Sequence, residues 1–128
     1  VLDRGYIPVI STVGCDNDCN TYNVNADTAA AKIAAALNAE TLISMSDIPG
    51  LLRDVNDPDS LIPAVDVKEI PALIEDGVIS GGMIPKVECC TNAIKWGVHR
   101  VFIIDGRIKH SILIETLTDE GIGTMFEE

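Results

Sequence analysis

The chain has 128 residues, 47% of them apolar, which is the size of one domain with enough hydrophobic content to bury a core. Nine basic residues against twenty acidic ones leave a formal net charge of -11. Such a surface repels nucleic acid and anionic lipid, and no basic stripe offsets it. No apolar run nears the ~20 residues that span a bilayer, and no secretory signal pattern opens the chain.

Taken in order, Val1 to Gly5 reads as the last turn of a helix with a glycine stop. There is no initiator Met, and a start inside an element leads us to expect a portion of a longer protein. Ile7 to Thr12 is a short apolar run of buried-strand type, with Pro8 near its start. Cys15 and Cys19 have a zinc-compatible spacing but no partner pair, and the adjacent Cys89 and Cys90 suit neither a disulfide nor paired ligation. All four read as free thiols in a reducing compartment, and no metal site is expected. Asp16, Asp18, Asn20 and Asp27 fall at calcium-loop positions, but Thr21 stands where glycine is needed and a strand precedes, so an EF-hand is rejected. A surface hairpin leading into Tyr22 to Asn25 is expected instead.

A helix then runs from Asn25-Ala26-Asp27-Thr28 to Leu37, capped by Asn25 or Asp27. Its alanine-rich body is apolar nearly all round, which predicts a helix buried against a sheet. Asn38 is its stop. Thr41 to Met45 is the next strand, running into the turn Ser46-Asp47-Ile48-Pro49-Gly50. Arg53 to Pro63 is a charged loop with Asp57-Pro58 as its turn. Asp66-Val67-Lys68-Glu69 reads as a capping box, and Pro71 kinks or starts the helix that Gly77 ends.

Gly81-Gly82 permits close backbone approach and positive φ, and Pro85 fits the first turn of a helix. Unpaired N–H groups at such a terminus seat anions, and Lys86 adds a mobile cation. Met83, Val87, Cys90 and Ile94 recur at helical spacing, and Trp96 reads as packing. Val101 to Ile104 is a third buried strand, ending at Asp105-Gly106-Arg107. Ser111 to Leu117 is a short helix, and Asp119 to Thr124 a glycine-containing loop before the final Met125-Phe126. Alternating strands and helices predict an α/β fold over residues 1–128, a mainly parallel sheet flanked by helices as a three-layer sandwich.

Three groups are expected to meet at the C-terminal edge of that sheet: the Asn23, Asn25 and Asp27 cluster, the Ser46 to Leu52 loop, and Gly81 to Lys86. Together they supply amide donors, two carboxylates, a cation and a helix N-terminus, a set suited to phosphoryl transfer. Taken singly, Asp27 reads as a helix cap, Asp47 as a turn residue and Lys86 as a solvated lysine. His99 and His110 read as structural or surface residues, and Arg100 and Arg107 as exposed charges.

Five strings occur in order: Tyr22-Asn23-Val24-Asn25-Ala26-Asp27, Ser46 to Leu52, Gly81 to Lys86, Ile103 to Arg107, and Thr118 to Met125. In this the chain resembles the C-terminal, nucleotide-binding half of the N-acetyl-L-glutamate kinases, within the amino acid kinase family, and most nearly forms from cyanobacteria and plant plastids. The resemblance implies ATP-dependent phosphorylation of the side-chain carboxylate of N-acetyl-L-glutamate, a step of arginine synthesis, in the cytoplasm or the plastid stroma. It implies catalytic roles for Lys86 and Asp27 and acceptor contacts from Asn23 and Asn25. It implies a nucleotide site from Ser46, Asp47, Gly50, Leu51, Leu52, Gly81, Gly82 and Met83, with Mg²⁺ accompanying ATP or ADP. The family's N-terminal half, with its glycine-rich loop, a second lysine and most of the acceptor pocket, has no counterpart in these residues. Ser46 stands where Thr is usual.

Arginine-inhibited relatives carry an effector site that Glu115 and Gly121 match. Phe102 replaces its usual His, and a phenyl ring cannot make imidazole hydrogen bonds. The resemblance further implies a homo-oligomer or a partner domain, and the PII protein as a partner of some members. Loss of a partner domain predicts exposed apolar surface and self-association.

Overall fold

The computed structural model describes all 128 residues. Its framework is a four-stranded sheet in the order β3-β5-β6-β4. The strands are β3 (Thr41–Ser46), β4 (Ala64–Asp66), β5 (Arg100–Asp105) and β6 (Thr124–Glu127), and a separate hairpin is formed by β1 (Val13–Cys15) and β2 (Thr21–Asn23). The helices are α1 (Ala26–Ala36), α2 (Ile70–Glu75), α3 (Met83–Lys95) and α4 (Ser111–Leu117). β3 pairs with β5 in parallel and β4 with β6 in parallel, while β5 and β6 are antiparallel. This is the expected mostly parallel sheet flanked by helices.

The middle of β5, Val101 to Ile104, is an unbroken apolar run because both faces are covered there: Val101, Ile103 and Ile104 have no exposed surface. Helix α1 packs on α3 and β3, and α3 packs on β5 and β6. Their shared core includes Ala31, Ala34, Val87, Cys90, Ala93 and Ile94. The small alanines of α1 let it sit close, but only that stripe is buried. Lys32 is exposed and reaches over Trp96, its Nζ 3.3 Å from the ring centroid. Trp96 itself keeps 39% of its surface in solvent. The apolar periphery of α1 is therefore half open, where an all-round buried helix was expected.

Three other expectations change. Ile7 to Thr12 forms no strand, and Ile7 and Val9 are 89% and 95% exposed. Pro8 has no N–H to donate, and the segment lies along α1, where Pro8, Ile10, Ser11 and Thr12 face Ala26, Ala29 and Ile33 across a shallow groove. Asp66 caps nothing through a box. It ends β4, paired with Glu127, and its Oδ1 accepts from the Lys68 N–H at 2.8 Å as a tight turn, so α2 starts at Ile70 with Pro71 in its first turn. Finally, β4 and β6 add two strands to the expected set. The hairpin, the Asn38 stop at φ 50° and the Ser111–Leu117 helix fall where the residues predicted them.

Thr124 stitches β6 to the loops that precede β4. Its Oγ1 accepts from the Leu51 N–H at 2.8 Å and donates to the Ile62 carbonyl at 2.7 Å, fully buried. The next residue inward, Gly123, passes so close to the Ile103 carbonyl that any Cβ would overlap it.

Candidate functional site

Two helix starts face each other beside the end of β3. On α1, Asn25 is the cap: its Oδ1 accepts from the Thr28 N–H at 3.0 Å and from Thr28 Oγ1 at 3.2 Å. That leaves Asp27 in the first helical turn with its carboxylate free to reach across. On α3, Gly81 takes φ +55° and Gly82 forms the cap with no side-chain partner. Lys86, one turn into α3, meets Asp27 there: Nζ lies 3.0 Å from Asp27 Oδ2 and 3.5 Å from Ser44 Oγ. The lysine side chain is 20% exposed and the aspartate 35%. A charge-assisted contact at this depth fixes the ammonium's position without shutting it off from solvent.

Lys86 stands where two cavities meet. The larger, about 450 Å³, runs from Ser46, Asp47, Gly50, Leu51 and Leu52 to Gly82 and Met83 and ends on Lys86. The smaller, about 170 Å³, holds Asp27, Ser44, Cys89 and Cys90 and ends on the same lysine. The backbone N–H groups of Gly81 and Gly82 donate to no carbonyl, whereas those of Met83 and Ile84 are tied back to Ser80 and Gly81 at 3.1 and 3.3 Å. The open amide donors are thus the two glycines, and they lie at the positive end of the α3 dipole.

The expected nucleotide residues Ser46, Asp47, Gly50, Leu51, Leu52, Gly82 and Met83 therefore share one cavity with Lys86, and Gly81 shapes the turn beside it without lining it. Asn23 and Asn25 line neither cavity. Asn23 is exposed on β2, and Asn25 spends its oxygen on the helix cap. Glu115 and Gly121 lie elsewhere again: Glu115 Oε2 accepts from the N–H groups of Ile122 and Gly123 at 2.8 and 3.1 Å, pinning the loop around Gly121. Phe102 is half-buried in β5, between Ile43 of β3 and Met125 of β6.

Ser44 escaped the sequence reading because a serine inside an apolar strand carries no motif. Its position two residues before the strand's end was the available signal. Arg100 and Arg107 are also more than loose surface charges. Arg100 Nη2 pairs with Glu40 at 2.9 Å. Arg107 grips Asp105 through Nε at 2.9 and 3.3 Å and through Nη2 at 2.8 Å, and its own N–H adds a bond of 2.8 Å. Those Arg107 hydrogen bonds hold the Asp105 carboxyl below its ordinary range, and Asp105 in turn raises the guanidinium, with a smaller contribution from Asp47. Cys90 is inert by comparison: burial pushes its thiol up to about 12.

The arrangement offers a fixed cation, two free amides and a loop-walled cavity, which is what binding and orienting a phosphorylated ligand requires. Comparison with known proteins points the same way. The family model described as "Amino acid kinase family" matches residues 1–105. The acetylglutamate kinase of Brachyspira hyodysenteriae (strain ATCC 49526 / WA1) is 59% identical over 128 residues, which are all of this chain and 44% of that protein. The acetylglutamate kinase of Methanobrevibacter smithii is 59% identical over 124 residues, 97% of this chain and 42% of the relative. The crystal structure of N-acetylglutamate synthase from Neisseria gonorrhoeae complexed with coenzyme A and L-arginine aligns with a TM-score of 0.86 at 30% identity, covering 98% of this chain and 28% of that one. The chain spans less than half the length of these relatives.

Proposed function

This chain belongs to the amino acid kinase family, and from that premise we propose that it forms the nucleotide-binding side of an acetylglutamate kinase, corresponding to that enzyme's C-terminal half. The reaction moves the terminal phosphoryl group of ATP onto the side-chain carboxylate of N-acetyl-L-glutamate. A carboxyl of that kind titrates near ~4.3, so the nucleophile is already ionised at neutral pH and no general base is needed. The difficulty is bringing two anions together, and fixed positive charge meets it. The observation that carries the reading is the Lys86–Asp27 pair, 3.0 Å apart where the two cavities join.

In this reading the adenosine portion lies along Ser46 to Leu52, the phosphates turn over the Gly81 and Gly82 amides, and the Lys86 ammonium stabilises the transferring group. Asp27 orients that ammonium. Mg²⁺ would come with the phosphates. No three His, Cys, Asp or Glu side chains gather to hold an ion, and Asp27 is engaged by Lys86, so the chain builds no cage of its own. Glu115 already serves two backbone amides, and with Phe102 beside its strand neighbours no arginine effector role is included.

Calorimetry with ATP tests the reading. The wild-type chain should bind ATP, and Lys86→Ala should weaken binding by roughly tenfold or more, the scale of a lost hydrogen bond to a charged group. Absence of heat with ATP, ADP and a non-hydrolysable analogue alike rejects it. A second reading, a nucleotide- or amino-acid-binding module that transfers nothing, is favoured by Asn23 and Asn25, the expected acceptor contacts, lining neither cavity. Hydroxylamine trapping separates the two, because only transfer yields an acyl phosphate.

A further inference from the structure

We infer that Arg107 is a positioning residue for the nucleotide: held rigidly by Asp105, it offsets the charge of Asp47 at the wall of the larger cavity and so lets a polyphosphate approach. The inference rests on the reading that this cavity takes ATP.

The placement follows from the strand register. Ser46 and Asp105 are opposite one another at the ends of parallel β3 and β5, so the turns that follow them leave the sheet side by side. They are also joined: the Gly106 N–H donates to the Ser46 carbonyl at 2.8 Å, and a Cβ on Gly106 would press on Met45 at 3.3 Å. Asp47 and Arg107 each stand one residue past these joined positions. Asp47 lines the cavity and Arg107 does not, so the arginine can act on a ligand there only through its neighbour.

Arg107 is held in place for such work. Asp105 is 7% exposed at the strand end and takes four hydrogen bonds from Arg107, counting the backbone N–H. They engage Nε and Nη2. Nη1 makes no hydrogen bond within the chain, and the side chain as a whole is 67% exposed. In a chain of net charge -11 a doubly negative turn at this wall would repel a polyphosphate. With Arg107 the Asp47, Asp105 and Arg107 charges sum to minus one, and without it to minus two.

A charge effect scales with the charge of the ligand, whereas a structural clamp does not. Adenosine, ADP and ATP binding to the full chain should therefore be measured by calorimetry at low salt and at about 0.5 M salt, where the Debye length falls to a few ångströms. Arg107→Ala should weaken ATP about three- to fivefold at low salt, ADP less and adenosine not measurably, on the scale of exposed charge pairs. The difference should shrink at high salt. Arg107→Lys should keep most of the ATP affinity. Equal loss for adenosine and ATP, or no loss for ATP, overturns the inference, as does a loss for Arg107→Lys equal to that for Arg107→Ala. Should Arg107→Ala alone not fold, with Asp105 left unpaired, Arg107→Gln, which keeps a side-chain donor for Asp105 while removing the charge, carries the same expectations. A wild-type chain that binds no ATP defeats the functional reading and this inference together, while wild-type binding with an unaffected Arg107→Ala defeats the inference alone.

Discussion

Asp16 and Asp105 are both acids kept ionised by hydrogen-bond donors, one in a loop and one at the sheet. Asp16 accepts from the N–H groups of Asp18 and Asn20, from Asn20 Nδ2 and from the Tyr22 hydroxyl, all between 2.8 and 2.9 Å. The side-chain bond from Asn20 leads in lowering its pKa to about 2. A depressed folded value means that the contribution to stability is whole above the unfolded carboxylate value of ~3.9 and fades as pH falls through about 2. Asp16→Ala should therefore flatten the acid limb of a stability–pH curve between roughly pH 4 and pH 2, read by urea unfolding at fixed pH steps. The thiols allow a second check. Cys15 and Cys19 are exposed and Cys90 is 97% covered with its thiol pushed up to about 12, so iodoacetamide should label the first two rapidly and Cys90 only on unfolding, as followed by mass spectrometry of peptides. The meeting of Lys86 with Asp27 was legible in the residues, because each sits in the first turns of a helix with clear start signals. Ser44 and the Arg107 clamp were not. Ser44 meets Lys86 across 42 residues of sequence, a contact that only the fold creates, and the Arg107 clamp, though local, shows its neighbour Asp47 only once β3 and β5 are aligned.

Among the elements, β6 is the one that holds the sheet together, since β5 and β4 touch only through it. Phe126 is the largest fully buried side chain, with β5 on one side and β4 on the other. Phe126→Ala should cost about 3–5 kcal/mol by urea unfolding. Gly123→Ala forces a methyl into the Ile103 carbonyl and should cost about 1–3 kcal/mol, with the β5–β6 amides losing protection from hydrogen exchange. Both three- to four-residue strands were hidden in the sequence for a physical reason. β4 is bounded by Pro63 and by the polar Asp66-Val67-Lys68-Glu69 string, which imitates a helix start, and β6 alternates only across Met125 and Phe126. Short strands have too few residues to display a period, and tertiary pairing decides them. The long helices and the β3 and β5 strands needed no such help. The run Ile7 to Thr12 failed the other way: its composition is that of a covered strand, but it forms no ladder, and only the Thr12 carbonyl takes a backbone bond, from the Val24 N–H at 2.8 Å.

At the scale of the molecule, apolar surface is concentrated near one end of the sequence. Tyr6, Ile7, Val9, Ile10, Val13 and Tyr22 are each more than half exposed. Apolar exposure of this kind favours association, against the repulsion of a net charge of -11. Light scattering should show mass rising with protein concentration, more so in added salt as repulsion is screened, and Val9→Lys should reduce it. A single mass at every concentration and salt level removes this expectation.

The placement of β6 between β5 and β4 also sets the order in which the chain can be finished during synthesis. Residues 41–46 and 100–105 can pair as soon as both have emerged from the ribosome, but residues 64–66 have no neighbour to join until 124–127 arrive. A nascent chain halted before Thr124 would therefore leave β5 with one unpaired edge and β4 with two, edges on which another chain could pair.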